Sequence, residues 1–286
     1  MRVLLINKQA TISKAPPLGL AIIASILEND GDTVRFIDAF PGQEIKIEKV
    51  LKSFSPDAVG LSFSTASSFD SYDLAKRMKA ADNNIIIFAG GTHPTSAAKE
   101  CLDNGIDIIV RGEAELQVRE LFRRLKANQP WKDILGITFR DNEKVITNPP
   151  MPYNEALDEI PFPAYHHLDM KFYTSRNQMI RGLWLRTFPL MATRGCPGRC
   201  IYCASHTIFG YLIRKRSPKN VVDEMELLAN RYGVQGFWFV DDTLTFHPNY
   251  AKALCQEIID RGLHIKWACQ ARVNNVQEDL LVLMKQ

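Results

Sequence analysis

Twice along this chain, short apolar runs alternate with longer stretches of helical spacing, and that rhythm leaves few folds open. Strands joined through helices lie parallel, because each helix returns the chain to the same end of the sheet. In the first stretch, strands are predicted at 3–6, 33–37, 58–63, 85–89 and 108–110. Helices are predicted at 18–28, 44–54, 71–80, 96–104 and 115–126. The expected product is a Rossmann-like, doubly wound parallel α/β sheet with helices on both faces. Segments 135–139 and 144–147 flank Asp141-Asn142 and predict a small hairpin closing this domain.

Asn148-Pro149-Pro150-Met151-Pro152, followed by Pro161 and Pro163, stiffens the next stretch. A second alternation then predicts strands at 190–192, 236–240 and 264–269 and helices at 219–232, 249–261 and 276–285. The expected organisation is a first domain over 1–147, a proline-rich linker over 148–187 and a second domain over 188–286. The second domain shows three βα units without closure, so the sequence is expected to be a fragment of a longer protein.

Bulk properties narrow the function. A net charge of +3 is too small to argue for nucleic acid or an acidic membrane surface, and no aromatic series suggests base stacking. No apolar run of about 18 residues predicts a membrane span. The opening MRVLLINKQ runs straight into a strand without a signal peptide's apolar core, so a cytoplasmic location is expected.

Of six cysteines, three are packed into Gly195-Cys196-Pro197-Gly198-Arg199-Cys200-Ile201-Tyr202-Cys203. In a reducing compartment such a cluster points to a metal site. Thiolates are the ligands that iron–sulfur clusters take. Three on one loop can hold three irons of a cubane and leave the fourth open to chelate another molecule. Gly195, Pro197 and Gly198 suit a tightly wrapped loop. Arg194 and Arg199 would offset the negative charge of thiolates and sulfides. The same thiols with His206 could instead form a tetrahedral Cys₃His zinc site. Cys255 and Cys269 are expected in the core.

Other candidates sit after predicted strands. Asp241 and Asp242 follow the strand at 236–240, placed either to meet a cofactor or substrate or to cap the next helix or turn. Arg272 follows the strand at 264–269, where it could approach a carboxylate or ribose, or pair on the surface. In the first domain, Ser62, Ser64, Thr65, Gly90, Gly91 and Thr92 follow apolar strands, where open parallel sheets bind ligands. His93 is expected as a turn residue rather than a metal ligand. No GxGxxG or GxxxxGK[ST] occurs, which argues against dinucleotide and P-loop readings.

The C-x3-C-x2-C spacing, with Tyr202 before the third cysteine and a strand before the loop, resembles the radical S-adenosylmethionine (radical SAM) superfamily. The resemblance implies a [4Fe-4S] cluster held by Cys196, Cys200 and Cys203. It implies S-adenosylmethionine on the open iron, with Tyr202 and Asp241 beside it, and reductive cleavage to a 5′-deoxyadenosyl radical. It also implies the first half of a partial (β/α)6 barrel. The segment Phe237–Phe246 resembles the corresponding segment of the cobalamin-dependent branch; the Gly-Gly-Glu of many other members is absent. The ordered set Pro16–Leu20, Asp38, Pro56–Ser62, Gly90–Thr95 and Arg111–Glu115 resembles that branch's cobalamin-binding domain. The strand-end loops would then flank the corrin and its nucleotide tail. Asp-x-His-x-x-Gly is absent, so cobalt would lack a protein histidine below it. The layout is similar to anaerobic magnesium-protoporphyrin ester cyclases and cobalamin-dependent radical methyltransferases. It implies methyl transfer or cyclisation at an unactivated carbon of a small-molecule substrate, with reduced flavodoxin or ferredoxin as electron donor. A non-catalytic corrinoid- or zinc-binding α/β module is the alternative.

Overall fold

The computed structural model describes residues 1–175, 178–180 and 183–286; residues 176, 177, 181 and 182 of the expected linker lie outside the described residues. The chain forms two compact units. One comprises Met1–Ser13, Pro17–Asn154 and Ile160–Leu168; the other Lys14–Pro16, Glu155–Glu159 and Asp169–Gln286.

The first unit runs β1 (Arg2–Lys8), α1 (Leu18–Asn29), β2 (Thr33–Ala39), α2 (Ile47–Phe54), β3 (Ala58–Phe63), α3 (Ser68–Ala81) and β4 (Ile86–Gly90). It continues with α4 (Thr92–Ser96), α5 (Ala98–Asp103), β5 (Ile108–Val110), α6 (Glu115–Lys126), β6 (Ile137–Asp141) and β7 (Lys144–Thr147). The sheet order is β2-β1-β3-β4-β5-β6-β7. The first five strands are parallel, and the β6–β7 hairpin adds antiparallel. The order reverses between β1 and β3, which makes that edge the switch point of an open sheet.

The apolar runs are explained by burial on both sides. Leu4 and Ile6 of β1 join one core with α2, α3 and α5. Val3 and Leu5 point the other way and pack with α1 and α6. Within β3, Gly60 leaves room for its neighbours: a Cβ there would lie 2.5 Å from Phe88 Cζ and 2.7 Å from Leu5 Cδ2. Gly60→Val is expected to destabilise this unit by about 2–3 kcal/mol through overpacking, measured by urea unfolding.

Three predicted helices of the first unit differ from those observed; the one expected at 71–80 begins three residues earlier, at Ser68. The helix expected at 44–54 begins at Ile47, because Lys46 has non-helical backbone (ψ 69°) and provides no side-chain cap. The helix expected at 96–104 is α5, and a short unexpected helix, α4, precedes it in the segment expected as a strand-end loop; Ala97 leaves helical geometry between them (φ −124°, ψ 42°).

The second unit runs α7 (Met170–Tyr173), β8 (Gln178–Ile180), β9 (Leu183–Leu185), β10 (Thr187–Leu190), β11 (Thr193–Arg194), α8 (His206–Phe209) and β12 (Arg214–Lys215). Then follow α9 (Pro218–Tyr232), β13 (Gly236–Phe239), α10 (Pro248–Asp260), β14 (Lys266–Cys269) and α11 (Glu278–Lys285). β10, β13 and β14 form a parallel sheet in that order. Its core includes Phe188, Leu190, Phe237 and Phe239, all within 1% of full burial. The start of α9 is written in Ser217-Pro218: the Ser217 hydroxyl accepts from Asn220 N at 3.1 Å, and proline occupies the first turn. Among the described residues, no helix is long and apolar enough to cross a membrane.

Candidate active site

Parallel pairing puts the C-terminal ends of β10, β13 and β14 at one edge of the second sheet. The cysteine loop follows β10, Asp241 and Asp242 follow β13, and Arg272 follows β14. The expected strand at 190–192 lies instead at Thr187–Leu190, and 191–192 are irregular. β10 ends at Leu190, and Thr193–Arg194 form β11, antiparallel to β12. This two-residue pairing ties the base of the loop that carries Cys196, Cys200 and Cys203.

Inside the tie, Gly195 has φ +92°, and a Cβ there would stand 2.1 Å from Leu212 O. Cys196 N donates to Gly210 O at 3.2 Å, and Cys203 N donates to Cys200 O at 3.1 Å. Cys196 and Cys200 are half-buried, and Cys203 is exposed. Tyr202 and Ile201 project beside them, 88% and 104% exposed. Three thiols on one accessible loop, with no acidic side chain between 195 and 213, fit the donor set of an iron–sulfur cluster. His206, the fourth ligand of the zinc alternative, lies flat against Tyr211 (ring centroids 4.9 Å apart, 11°).

The structure gives Asp241 a different occupation from the expected one. It is 1% exposed. Its carboxylate accepts from Ala192 N at 3.2 Å, from Thr193 Oγ1 at 2.6 Å and from Thr193 N. Nor does it cap α10, whose N-cap position is His247. Burial pushes the Asp241 carboxyl up to about 6, against the pull of these donors. Asp241 is thus a bracket between the end of β13 and the start of the cysteine loop. Its neighbour Asp242 accepts from Ser205 Oγ at 2.5 Å, farther along the same loop.

Arg272 Nη2 lies 3.2 Å from Cys200 Sγ. A Cβ at Gly198 would come 2.2 Å from the same guanidinium nitrogen, so the glycine admits the arginine to the thiol. Arg216 was not singled out in the sequence. It donates to Met191 O at 2.9 Å and to Glu224 Oε2 at 2.5 Å, linking the loop base to α9. Its signal was weak, because Glu224 lies eight residues away and only the fold brings them together. Cys255 is in the core and Cys269 is half-buried. Burial holds both thiols at about 11, so both remain protonated near neutrality.

In the first unit, Ser62 pairs in register with Gly90 across β3 and β4. Gly91 has φ +100°, and a Cβ there would lie 3.4 Å from Ser62 Oγ and from Phe63 O. Ser64, Thr65 and Thr92 are exposed around this point. Bare backbone and small hydroxyls at strand ends suit a large ligand that must come close to the chain. His93, expected in a turn, is instead a buried residue of α4. Its Nε2 pairs with Tyr72 Oη at 2.7 Å and its Nδ1 with Thr65 Oγ1 at 3.1 Å. Tyr72 also donates to Glu100 Oε1 at 3.1 Å, and burial raises its hydroxyl pKa. Nothing in the spacing announced this network, since Tyr72 and His93 lie 21 residues apart.

Fold and site together define an α/β protein with an open-sheet ligand domain and a thiol loop of iron–sulfur type. The B12 binding domain family matches residues 10–122, and the Radical SAM superfamily matches residues 190–286. Residues 10–122 thus carry a B12-binding domain and residues 190–286 a Radical SAM superfamily domain.

Similar proteins agree with that placement. An uncharacterized methyltransferase of Pyrococcus horikoshii is 35% identical, over 98% of this chain and 60% of its own length. The cytidylyl-2-hydroxyethylphosphonate methyltransferase of Streptomyces wedmorensis is 29% identical, over 99% and 62%. The anaerobic magnesium-protoporphyrin IX monomethyl ester cyclase of Cereibacter sphaeroides is 30% identical, over 92% and 44%. The chain thus spans 44–62% of the length of these relatives. Two solved structures share the fold. The methyltransferase TsrM from Kitasatospora setae, with tryptophan and aza-SAM bound, gives a TM-score of 0.81 at 18% identity, over 99% of this chain and 57% of that one. OxsB with aqua-cobalamin and S-adenosylmethionine bound gives 0.77 at 21% identity, over 96% and 39%.

Proposed function

We propose that this chain is a cobalamin-dependent radical SAM enzyme that modifies an unactivated carbon of a small-molecule substrate by methyl transfer or cyclisation. The observation that carries this reading is the loop of three accessible thiols at the C-terminal edge of the β10-β13-β14 sheet. In this reading Cys196, Cys200 and Cys203 ligate a [4Fe-4S] cluster. Bound there, the cluster would supply the electron that cleaves S-adenosylmethionine to a 5′-deoxyadenosyl radical, and cobalamin would supply a methyl group or assist ring closure. The solved structures of TsrM with cobalamin and a [4Fe-4S] cluster bound, and of OxsB with aqua-cobalamin and S-adenosylmethionine bound, support the assignment.

The chain's own residues have distinct tasks. Asp241 holds the loop base, so the thiols keep their spacing. Arg272 sets a positive charge against the Cys200 sulfur and screens the anionic thiolates. Asp242, fixed by Ser205, remains at the strand end beside the loop as a polar contact for S-adenosylmethionine or substrate. Tyr202 stands exposed on the rim for the same purpose. In the first unit, Ser62, Ser64, Thr65, Gly90, Gly91 and Thr92 would receive cobalamin. Reduced flavodoxin or ferredoxin would deliver the electron, a task suited to a thiol loop open to solvent.

Anaerobic reconstitution is expected to give about four irons and four sulfides per chain with a broad visible absorbance. Cys200→Ala is expected to lose most of the iron and the absorbance while its circular dichroism stays unchanged. One zinc per chain and no chromophore would overturn the reading.

A further inference from the structure

We propose that Glu28, His166 and His167 form a second metal site, for a borderline divalent ion such as Zn²⁺ or Co²⁺. Glu28 lies in the last turn of α1, and the two histidines occupy a single 3₁₀ turn, Tyr165–His167. His166 Nε2 and His167 Nε2 both face one oxygen, Glu28 Oε1, at 3.2 and 2.7 Å. The three ligand atoms lie within 4.8 Å of one another. Tetrahedral zinc with bonds of about 2.0–2.1 Å sets its ligand atoms roughly 3.3 Å apart. Small side-chain shifts would therefore admit the ion.

The scaffold is held before any ion arrives. Ala164 N donates to Ala21 O at 2.9 Å and Ser25 Oγ to Phe162 O at 2.6 Å, both fastening the turn to α1. His167 stacks on Phe36 of β2 (ring centroids 5.8 Å, 14°), and His166 packs against His167 at 4.3 Å. The choice of metal follows from the donors. Two imidazoles and one carboxylate suit zinc, cobalt or nickel, whereas calcium and magnesium want mostly oxygen. His166 is 51% exposed and Glu28 30%, so water can complete the coordination from the solvent side. Glu28 and His166 are 138 residues apart in sequence, and an ion between them would staple the 160s turn to α1. The competing account is a metal-free pair of hydrogen bonds from the histidines to the carboxylate.

The site is tested in the full chain with Cys196, Cys200 and Cys203 replaced by serine, which removes the thiols as competing ligands. Titration with Co²⁺ at neutral pH is expected to show one ion per chain. It should give weak visible bands of nitrogen and oxygen coordination, together with a rise in Tm. Glu28→Gln and, separately, the exposed His166→Gln are each expected to weaken binding by about tenfold or more and to abolish the Tm rise, with unchanged circular dichroism. Absence of stoichiometric uptake would overturn the proposal. So would uptake equally tight in both variants, which places the ion elsewhere. Neither result bears on the cysteine loop, whose iron is measured in the chain with its cysteines intact.

Discussion

Asp241→Ala is expected to lower the stability of the second unit by about 3–5 kcal/mol and to cost the chain most of its iron after reconstitution. The substitution leaves Ala192 N, Thr193 N and Thr193 Oγ1 buried without their acceptor. Each orphaned buried donor costs about 1–3 kcal/mol, and the costs of neighbours do not simply add. Denaturant unfolding would give the stability and metal analysis the iron. Asp241→Asn separates shape from charge. It keeps one acceptor oxygen but turns an amide N–H₂ toward donors, so it should be less damaging than alanine yet still destabilising.

The same carboxyl carries a pH signature. Burial holds it at about 6 in the folded chain, whereas an unfolded aspartate titrates at about 3.9. Between those values the unfolded state binds fewer protons than the folded one. The contribution of this group to stability therefore falls as pH rises from about 4 to about 6, then levels off. Asp241→Asn is expected to remove that slope. The check is the difference in unfolding free energy between parent and variant across the window. A constant difference would show that Asp241 titrates as it does in the unfolded chain.

Gly195→Ala is expected to be nearly as severe, at about 3 kcal/mol or more. The residue has φ +92°, a region that non-glycine side chains populate only under strain. Its new methyl would also meet the backbone oxygen of Leu212, which cannot swing aside like the end of a long side chain. Relief requires β11 to part from β12, loosening the hydrogen bond from Cys196 N to Gly210 O. Faster loss of iron to a chelator, with the first unit's urea unfolding unchanged, is the expected readout. By contrast Gly198→Ala meets the far end of the Arg272 side chain, with Cys196 Sγ at 3.3 Å, so it should cost little stability while displacing Arg272 from Cys200 Sγ.

What could be read from the sequence was whatever local periodicity and spacing determine. Val3–Ile6 announced a buried strand because both faces of β1 are covered, so the whole run is apolar. Parallel topology followed from the intervening helices. The thiol loop was legible because its ligands are neighbours in sequence. The β11–β12 tie was not, since two residues show no periodicity and the pairing is imposed by closure of the loop between them. The occupation of Asp241 was also hidden: a carboxylate after a strand looks the same whether it faces solvent or backbone donors 48 residues away. The antiparallel β8–β9 pair was missed for the first of these reasons, being two three-residue strands.

The tie at the base of the cysteine loop has a thermodynamic corollary. Where a metal must gather its ligands from a disordered chain, binding and folding are one event, and the ordering entropy is subtracted from affinity. Here β11, β12 and the Asp241 bracket close the ring from 195 to 213 by protein contacts alone. Most of that entropy is surrendered when the domain folds. Uptake of a cluster at this loop would thereby be separated from folding, and such a cluster could leave and return without the chain passing through the unfolded ensemble.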